Sequence, residues 1–177
     1  MDVKRLMRHR VPTCKSDDTL NTAARMMWEE GCGCVPVVNV DFRPVGILTD
    51  RDISMAAYTQ GRSLHDISVD SAMARKLVCC EQGDELDHAV QLMRDNCLRR
   101  LPIVDDRGVL VGLLTLEDIA CESQRNVRGA TNRNLTDLVG EVYGRICSTR
   151  CRRRHSPDPP VHSSSADALY YRRYQRS

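Results

Sequence analysis

The sequence predicts a mixed α/β (α+β) fold in which two β-α-β-β-α repeats pack about a pseudo-twofold axis. The strongest observation is an internal duplication, since residues 3–54 align with residues 69–120 without a gap and fifteen of the 52 pairs are identical. A second observation is that apolar runs typical of buried strands alternate with amphipathic helical patterns in each copy. About 50 residues cannot cover both faces of their own sheet, so two stacked copies are expected to form one folding unit.

The duplication also sets the expected domain boundaries. We expect repeat 1 over 3–62, repeat 2 over 63–121, a polar linker over 122–133, a helix over 134–151 and a disordered basic tail over 152–177. Clusters of Pro and Ser in the tail indicate disorder.

Each repeat is expected to begin with a short helical lead-in, which ends at Met7 or Met73, and a short strand near 11–14 or 77–80. A helix follows, because apolar residues recur at helical spacing on one face. The two stripes are Leu20, Ala23, Ala24, Met27 and Trp28 in the first copy, and Leu86, Ala89, Val90, Met93 and Cys97 in the second.

The ends of these helices carry their own signals. Asp18-Thr19 supplies an N-cap for the first helix. Gly31 suits the left-handed residue that ends this helix, whereas Cys97 at the equivalent place predicts a different ending for the second.

Two strands and a second helix complete each copy. The strands are expected to form hairpins with ordinary turn residues. Their predicted ranges are 34–39 with 43–48 and 100–105 with 109–114, and the helices that follow begin at Asp50 and Leu116.

Beyond the duplication, a final helix is predicted from another apolar stripe. Its members are Leu135, Leu138, Val139, Val142 and Ile146. We expect this helix to extend a dimer or to dock on a partner.

The motif Gly-x-x-Thr-x-x-Asp, at 46–52 and again at 112–118, is the main functional signal. Thr after a buried strand, with Asp three residues later, predicts a helix start. Backbone N–H groups at such a start bind anions, and the carboxylate one turn in can accept hydrogen bonds from a diol. The pattern therefore favours a ligand with phosphate and ribose. Helix capping alone, worth about 1 kcal/mol per residue, is the alternative.

The repeated unit and its motif resemble a tandem CBS-domain pair, or Bateman module, from residue 3 to about residue 121. The segments Thr-Asp-Arg-Asp-Ile at 49–53 and Leu-Pro-Ile-Val-Asp at 101–105 are typical of small stand-alone bacterial CBS-domain proteins. The resemblance implies a non-catalytic regulatory module that binds an adenine nucleotide, AMP, ATP or a related adenosyl ligand, in clefts between the repeats. It implies signalling by a change of conformation or assembly, a homodimer, and no required cofactor besides the regulatory nucleotide.

The resemblance also assigns ligand-binding residues in both copies. Phosphate and ribose would be held by Thr49, Asp50 and Asp52 in the first copy and by Thr115 and Asp118 in the second. Cationic side chains lie near both motifs, as Arg51 in the first copy and as Arg99 and Arg100 in the second. The adenine would lie in an apolar slot built from Val11, Thr13, Val35, Pro36, Leu77, Cys79, Leu101 and Pro102.

Two questions stay open at this level. Each motif has a positively charged side chain nearby, but in a different place, and Glu117 beside Asp118 would repel a phosphate. These charges do not decide which of the two motifs binds the phosphate. For Arg99 and Arg100, exposure to solvent at the start of the strand or a salt bridge within a dimer is an equal alternative to phosphate binding.

The nine cysteines are an odd number and show no Cys-x-x-Cys spacing. Without a secretion signal they predict reduced, partly buried thiols and a cytoplasmic protein. Cys147, Cys151 and His155 lie at helical spacing as weak metal candidates, but a closed zinc site needs four ligands, so we expect no metal.

Composition limits the remaining function classes. No run approaches the roughly 18 apolar residues of a membrane span, so no membrane partner is expected. No catalytic constellation stands out, which speaks against an enzyme.

The charge is divided unevenly along the chain. Residues 1–121 carry 15 Lys and Arg against 19 Asp and Glu, net −4, whereas residues 122–177 carry 11 against 5, net +6. The tail offers arginines to phosphates and tyrosines to bases, at Arg152–Arg154, Tyr170, Tyr171 and Tyr174. The alternative function is thus a nucleic-acid or protein adaptor with the pair as an unliganded scaffold. A structural or redox protein with empty clefts is a third hypothesis.

Overall fold

The computed structural model describes the backbone of residues 1–126 and 133–154, and side chains as far as residue 124 and from 136 to 148. It contains the predicted mixture of helices and strands. Short 3-10 turns at Val3–Arg5 and Val69–Ser71 form the lead-ins. In chain order the other elements are α1 (Leu20–Glu29), β1 (Cys34–Val38), β2 (Pro44–Thr49), α2 (Asp50–Gln60), β3 (Cys80–Glu81), α3 (Leu86–Asn96), β4 (Arg100–Val104), β5 (Leu110–Thr115), α4 (Leu116–Asn126) and α5 (Arg133–Arg154).

The described residues form two compact units that exchange their lead-ins. Residues 12–77 form one, which we call the repeat-1 unit, and residues 1–11 with 78–126 and 133–154 form the other, the repeat-2 unit. The lead-in of each repeat thus packs on the body of the other repeat. This exchange was not predicted.

Backbone pairing holds each lead-in in place. In the repeat-2 unit Arg8 N–H donates to Leu113 O over 2.9 Å, and Leu113 N–H donates to Arg8 O over 3.1 Å. In the repeat-1 unit Ala74 and Ile47 exchange the same two bonds, over 2.9 and 3.1 Å. Arg8 and Ala74 are therefore equivalent positions, 66 residues apart.

The glycine of each motif permits this pairing. A Cβ on Gly112 would lie 2.7 Å from the carbonyl oxygen of Arg8 and 2.8 Å from Met7 Sδ. A Cβ on Gly46 would lie 2.7 Å from Met73 Sδ and 3.0 Å from the carbonyl oxygen of Ala74. The repeated Gly and the repeated Met are thus two sides of one close contact.

The two hairpins match their predicted bounds to within one residue. Strands β1 and β2 are antiparallel with Cys34 opposite Thr49, and β4 and β5 are antiparallel with Arg100 opposite Thr115. Strand β3 adds to the second hairpin in parallel with β4.

The strands predicted before these hairpins are shorter than expected. The one near 77–80 is reduced to Cys80–Glu81, and the one near 11–14 to a single bridge between Cys14 and Val37. In the strand near 11–14, Pro12 has no N–H to donate and so prevents a longer ladder.

Each unit has its own apolar core, and the helical stripes supply it. Leu20, Ala23 and Met27 are buried in the repeat-1 unit, as predicted, but Trp28 is 87% exposed, so its place in the buried stripe was wrong. The three buried residues define the inward direction of α1, and Trp28 lies about 100° further round the helix than Met27.

The predicted difference between the ends of α1 and α3 was also wrong. Gly31 and Cys97 both adopt the left-handed conformation, with φ of 59° and 55°. The next N–H closes the same turn in both, from Cys32 to Met27 O over 2.9 Å and from Leu98 to Met93 O over 2.8 Å. The left-handed conformation costs a residue with a Cβ roughly 1–2 kcal/mol, and Cys97 adopts it because tertiary packing determines the path of the backbone.

Helix α5 belongs to the repeat-2 unit. Val142 and Ile146 are buried in its core, and Leu138 and Val139 pack against the same cluster. The predicted stripe is therefore correct for these four residues. This stripe faces α3 and α4, and the expectation that α5 extends a dimer or docks on a partner stays a prediction.

Parts of the predicted linker and tail fall outside this description. Helix α4 continues to Asn126, and so includes the start of the predicted linker. The rest of the linker up to residue 132, and residues 155–177 of the predicted tail, lie outside the described residues. Within the described ranges, no helix is both long enough and apolar enough to cross a membrane.

Candidate functional site

The motif of the repeat-1 unit forms a capping box at the start of α2. Asp52 N–H donates to Thr49 Oγ1 over 3.2 Å, and Thr49 N–H donates to Asp52 Oδ2 over 2.9 Å. The Thr49 hydroxyl also donates to Asp52 Oδ2 over 2.6 Å. Thr49 and one carboxylate oxygen of Asp52 are thus engaged in the helix start.

The motif of the repeat-2 unit has the same geometry at the start of α4. The corresponding bonds between Thr115 and Asp118 measure 3.1, 3.0 and 2.6 Å. Both motifs therefore cap their helices, and whether they also bind a ligand stays a prediction. The cap uses Oδ2 of each aspartate and leaves Oδ1 for another contact.

In the repeat-2 unit this second oxygen already has a partner. Arg8 Nε donates to Asp118 Oδ1 over 3.0 Å, and the Asp118 side chain is only 16% exposed. Arg8 reaches Asp118 because its backbone pairs with Leu113, next to the end of β5. Sequence reasoning missed Arg8, since the residue lies 110 positions from Asp118 and only the exchange of lead-ins brings them together.

In the repeat-1 unit the equivalent oxygen of Asp52 has no such partner. The position of Arg8 is occupied by Ala74, whose methyl group cannot form an ion pair. Among the described residues no ion pair involves Asp52, and its neighbours Asp50 and Arg51 are exposed. Two motifs with the same backbone geometry therefore differ in the charge beside their carboxylates.

The predicted arginine pair lies beside the motif of its own unit. Arg100 is opposite Thr115 across the hairpin, and Leu116 N–H donates to the carbonyl oxygen of Arg99 over 2.8 Å. Both arginines are half-buried. Gly33 and Cys34 occupy the equivalent places in the repeat-1 unit, so the repeat-2 unit has more positive charge near its motif.

The residues predicted to line an adenine slot are divided between the units. Val11, Cys79, Leu101 and Pro102 share the repeat-2 unit with Thr115, and Thr13, Val35, Pro36 and Leu77 share the repeat-1 unit with Thr49. The four from the hairpin strands (Val35, Pro36, Leu101 and Pro102) are buried, and the other four are half-buried. The slot itself stays a prediction.

Cys14 and Cys80, which lie in the two cores, are poorly reactive. Burial, with Asp18 nearby, raises the pKa of Cys14 to about 12. Burial raises the pKa of Cys80 to about 12 as well, helped by its hydrogen bond to Asp84 Oδ2 at 3.2 Å. A thiol with a raised pKa is rarely a thiolate and reacts slowly.

No group of three metal-binding side chains occurs within the described part of the chain. Of the weak candidates, Cys147 is exposed. The Cys151 side chain and His155 lie outside the described residues.

Comparison with known proteins identifies relatives over the duplicated region. The CBS-domain family model matches residues 3–58 and 66–124. CBS domain-containing protein YhcV of Bacillus subtilis is 37% identical over 124 residues, which cover 70% of this chain and 86% of YhcV. The uncharacterized protein MK0525 of Methanopyrus kandleri is 36% identical over 119 residues, 67% of this chain but only 61% of MK0525.

Among solved structures, the CBS-domain pair of protein MJ0100 is similar to this chain. It is 25% identical with a TM-score of 0.62, and the match covers 69% of this chain and 98% of that one. That crystal structure contains 5′-methylthioadenosine and S-adenosyl-L-methionine.

Proposed function

This chain belongs to the CBS-domain family, with two domains in tandem, and on that premise we propose that it is a regulatory module for an adenosyl ligand. The ligand class is AMP, ATP or a relative such as S-adenosylmethionine. Binding would favour one conformation or assembly of the protein, and that bias is the signal. The MJ0100 pair supports this class, because it holds two adenosyl compounds.

The observation that carries the proposal is the carboxylate oxygen that the cap does not use, which pairs with Arg8 in Asp118 and has no such ion pair in Asp52 among the described residues. Because the capping box engages only Oδ2, Oδ1 can accept hydrogen bonds from the two hydroxyls of a ribose. The N–H groups in the first turn of α2 or α4 lie beside it and suit a phosphate. Thr49 and Asp52, with Thr115 and Asp118, are the residues to which we assign these contacts.

We assign the higher affinity for a neutral adenosyl compound to Asp52. A ribose at Asp118 has to displace Arg8 from Oδ1, whereas a ribose at Asp52 displaces only water from the contacts described. The Arg8 side chain is 55% exposed, so the ion pair is worth at most about 1 kcal/mol, or roughly fivefold in affinity.

Isothermal titration of the full chain with AMP, ATP, S-adenosylmethionine and methylthioadenosine tests the proposal. Asp52→Asn removes the charge but keeps an oxygen for the cap, and it should weaken binding by about tenfold or more, as expected for a hydrogen bond to a charged group. Asp50→Asn is the matched control, since Asp50 is exposed in the same first turn. Wild-type protein that binds none of the four at millimolar concentration would contradict the proposal.

We also propose that the module acts as a homodimer, without catalysis and in the cytoplasm, as the family resemblance implies. The adaptor alternative depends on residues 152–177, most of which lie outside the described structure, and it stays a prediction. Fluorescence anisotropy with labelled RNA, on the full chain and on a chain that ends at residue 154, tests it. Equal or absent binding in the two would contradict a role for the tail.

A further inference from the structure

The turn between β1 and β2 is held by a single residue. Asn39 Oδ1 accepts hydrogen bonds from the N–H groups of Asp41 and Arg43, over 3.0 and 2.9 Å. The Asn39 carbonyl oxygen accepts a third, from Phe42 N–H over 3.1 Å, and Asn39 N–H donates to Arg43 O over 3.0 Å. Three successive N–H groups at the tip are thus satisfied within the turn, so the tip can be buried against another surface without leaving these donors unpaired.

The turn between β4 and β5 is held in the same way. Asp105 Oδ1 accepts from the N–H groups of Arg107 and Val109 over 3.0 and 2.8 Å, and its carbonyl oxygen accepts from Gly108 N–H over 2.9 Å. Gly108 is equivalent to Phe42, and both have a positive φ, of 77° and 57°. This turn therefore needs a left-handed residue, and glycine adopts that conformation at the lowest cost.

Phe42 is an unfavourable residue for this position. A side chain with a Cβ is disfavoured in the left-handed conformation, and a bulky one is a genuine outlier there. Cys97 also has a positive φ, but it packs against the core of the repeat-2 unit. Phe42 is 60% exposed and belongs to neither core cluster, so packing among the described residues does not account for it. Strain that the fold does not require indicates a function.

The other differences between the two tips favour burial of the first one. Val40, which is 86% exposed, takes the place of Asp106, and Asn39 takes the place of Asp105. A neutral amide costs less to bury than a carboxylate. The β1–β2 turn thus presents two exposed apolar side chains on a backbone whose main acceptor is uncharged. We call Val40 and Phe42 the β1–β2 knob.

We propose that the β1–β2 knob docks into an apolar pocket of another protein, with Phe42 as the anchor. Aromatic side chains that fill such pockets are frequent anchors of protein interfaces. Asp41 lies between the two knob residues and is exposed, so the matching pocket has apolar walls and a lysine or arginine at its rim.

The charge of the repeat-1 unit favours a protein over a surface that bears phosphates. Residues 12–77 carry 7 Lys and Arg against 9 Asp and Glu, net −2, and Asp41 adds a carboxylate at the tip itself. Phosphates would repel this arrangement, which disfavours a nucleic acid or an acidic membrane as the partner.

Urea unfolding of the full chain tests the strain on which this inference depends. Phe42→Gly should raise the midpoint, because it relieves the left-handed conformation and removes little packing. Gly108→Phe, the reciprocal change in the other turn, should lower the midpoint. If Phe42→Gly leaves the midpoint unchanged or lowers it, Phe42 belongs to the fold and the inference is overturned.

Photo-crosslinking tests the partner. The full chain with p-benzoylphenylalanine at position 42, irradiated in cells that express it, should cross-link to another protein, whereas the same group at position 108 should not. In titrations with that protein in purified form, Phe42→Gly should weaken binding about tenfold or more, as expected for one buried aromatic side chain. Arg107→Ala, an exposed change in the other turn, should leave this affinity unchanged.

Several results would overturn the inference. These are no cross-link specific to position 42, a cross-link only to lipid, nucleic acid or a second copy of this chain, and equal affinity of wild type and Phe42→Gly for the purified protein. Titration of Phe42→Gly with methylthioadenosine should match wild type, because Thr49 lies at the opposite end of β2. The adenosyl proposal is therefore tested separately.

Discussion

The two units of this protein share a backbone design but differ in what surrounds it. Both have the capping box, the glycine under the exchanged lead-in and the left-handed helix end. They differ beside the carboxylate, where Arg8 faces Asp118 and Ala74 takes the equivalent place near Asp52, and on the helical face, where α5 covers only the repeat-2 unit. The duplication has kept the backbone contacts of each unit and has diverged in the side chains and the helix that surround them.

Removing the contact made by α5 should have the largest effect, and only on one unit. Ile146→Ala should lower the free energy of unfolding by about 2–4 kcal/mol, because removing most of this buried side chain leaves a cavity in the core. Hydrogen exchange should then rise in α3 and α4 but not in α1 and α2. Thr136→Ala, at an exposed place on the same helix, should change neither quantity. Equal loss of protection in both units would contradict the difference between them.

Adding a Cβ under the lead-in should destabilise the protein somewhat less than Ile146→Ala does. Gly112→Ala should cost about 1–3 kcal/mol in urea unfolding, because its Cβ would approach the backbone oxygen of Arg8. Gly46→Ala should cost less, since the nearest atom is the Met73 sulfur, at the flexible end of a side chain. Gly144→Ala serves as the control, for a Cβ there meets nothing within 4 Å. The reverse order of the first two would contradict the packing described.

Removing Arg8 should make the two motifs more alike. Arg8→Ala should raise the affinity of the Asp118 motif for methylthioadenosine up to about fivefold, as the competing ion pair is lost. Measured in the Asp52→Asn background, the titration reports mainly on Asp118. Arg10→Ala, an exposed arginine two residues along the same segment, is the control. Weaker binding after Arg8→Ala would show instead that Arg8 helps to hold the ligand.

Cys14 and Cys80 should behave alike, with an effect confined to alkaline solution. They are equivalent positions, and the pKa of each thiol is raised to about 12 from an ordinary value near 9. A raised folded pKa gives stability that is complete below about pH 9 and is lost as the pH rises toward 12. Urea unfolding between pH 8 and pH 11 should show this decline, and Cys14→Ser should make it shallower. A stability that is flat over this range would contradict burial of the thiols.

Much of this protein could be predicted locally. The hairpins, the helix starts at Asp50 and Leu116, and the inner stripes of α1, α3 and α5 follow from spacing along a few turns of chain. Trp28 shows where that approach fails, because the edge of a helical stripe depends on what packs there. Cys97 shows the same limit at a helix end, where tertiary packing overrides the preference for glycine.

The order of elements and the Thr–Asp caps could be predicted from short stretches of sequence, since each depends on neighbours within one or two turns, and the duplication followed from aligning the chain with itself. The exchange of the lead-ins, the contact between Arg8 and Asp118 and the packing of α5 on α3 and α4 became visible only in the folded chain. Those contacts join segments far apart in the chain. They depend on the path of the backbone between them, which no local periodicity records.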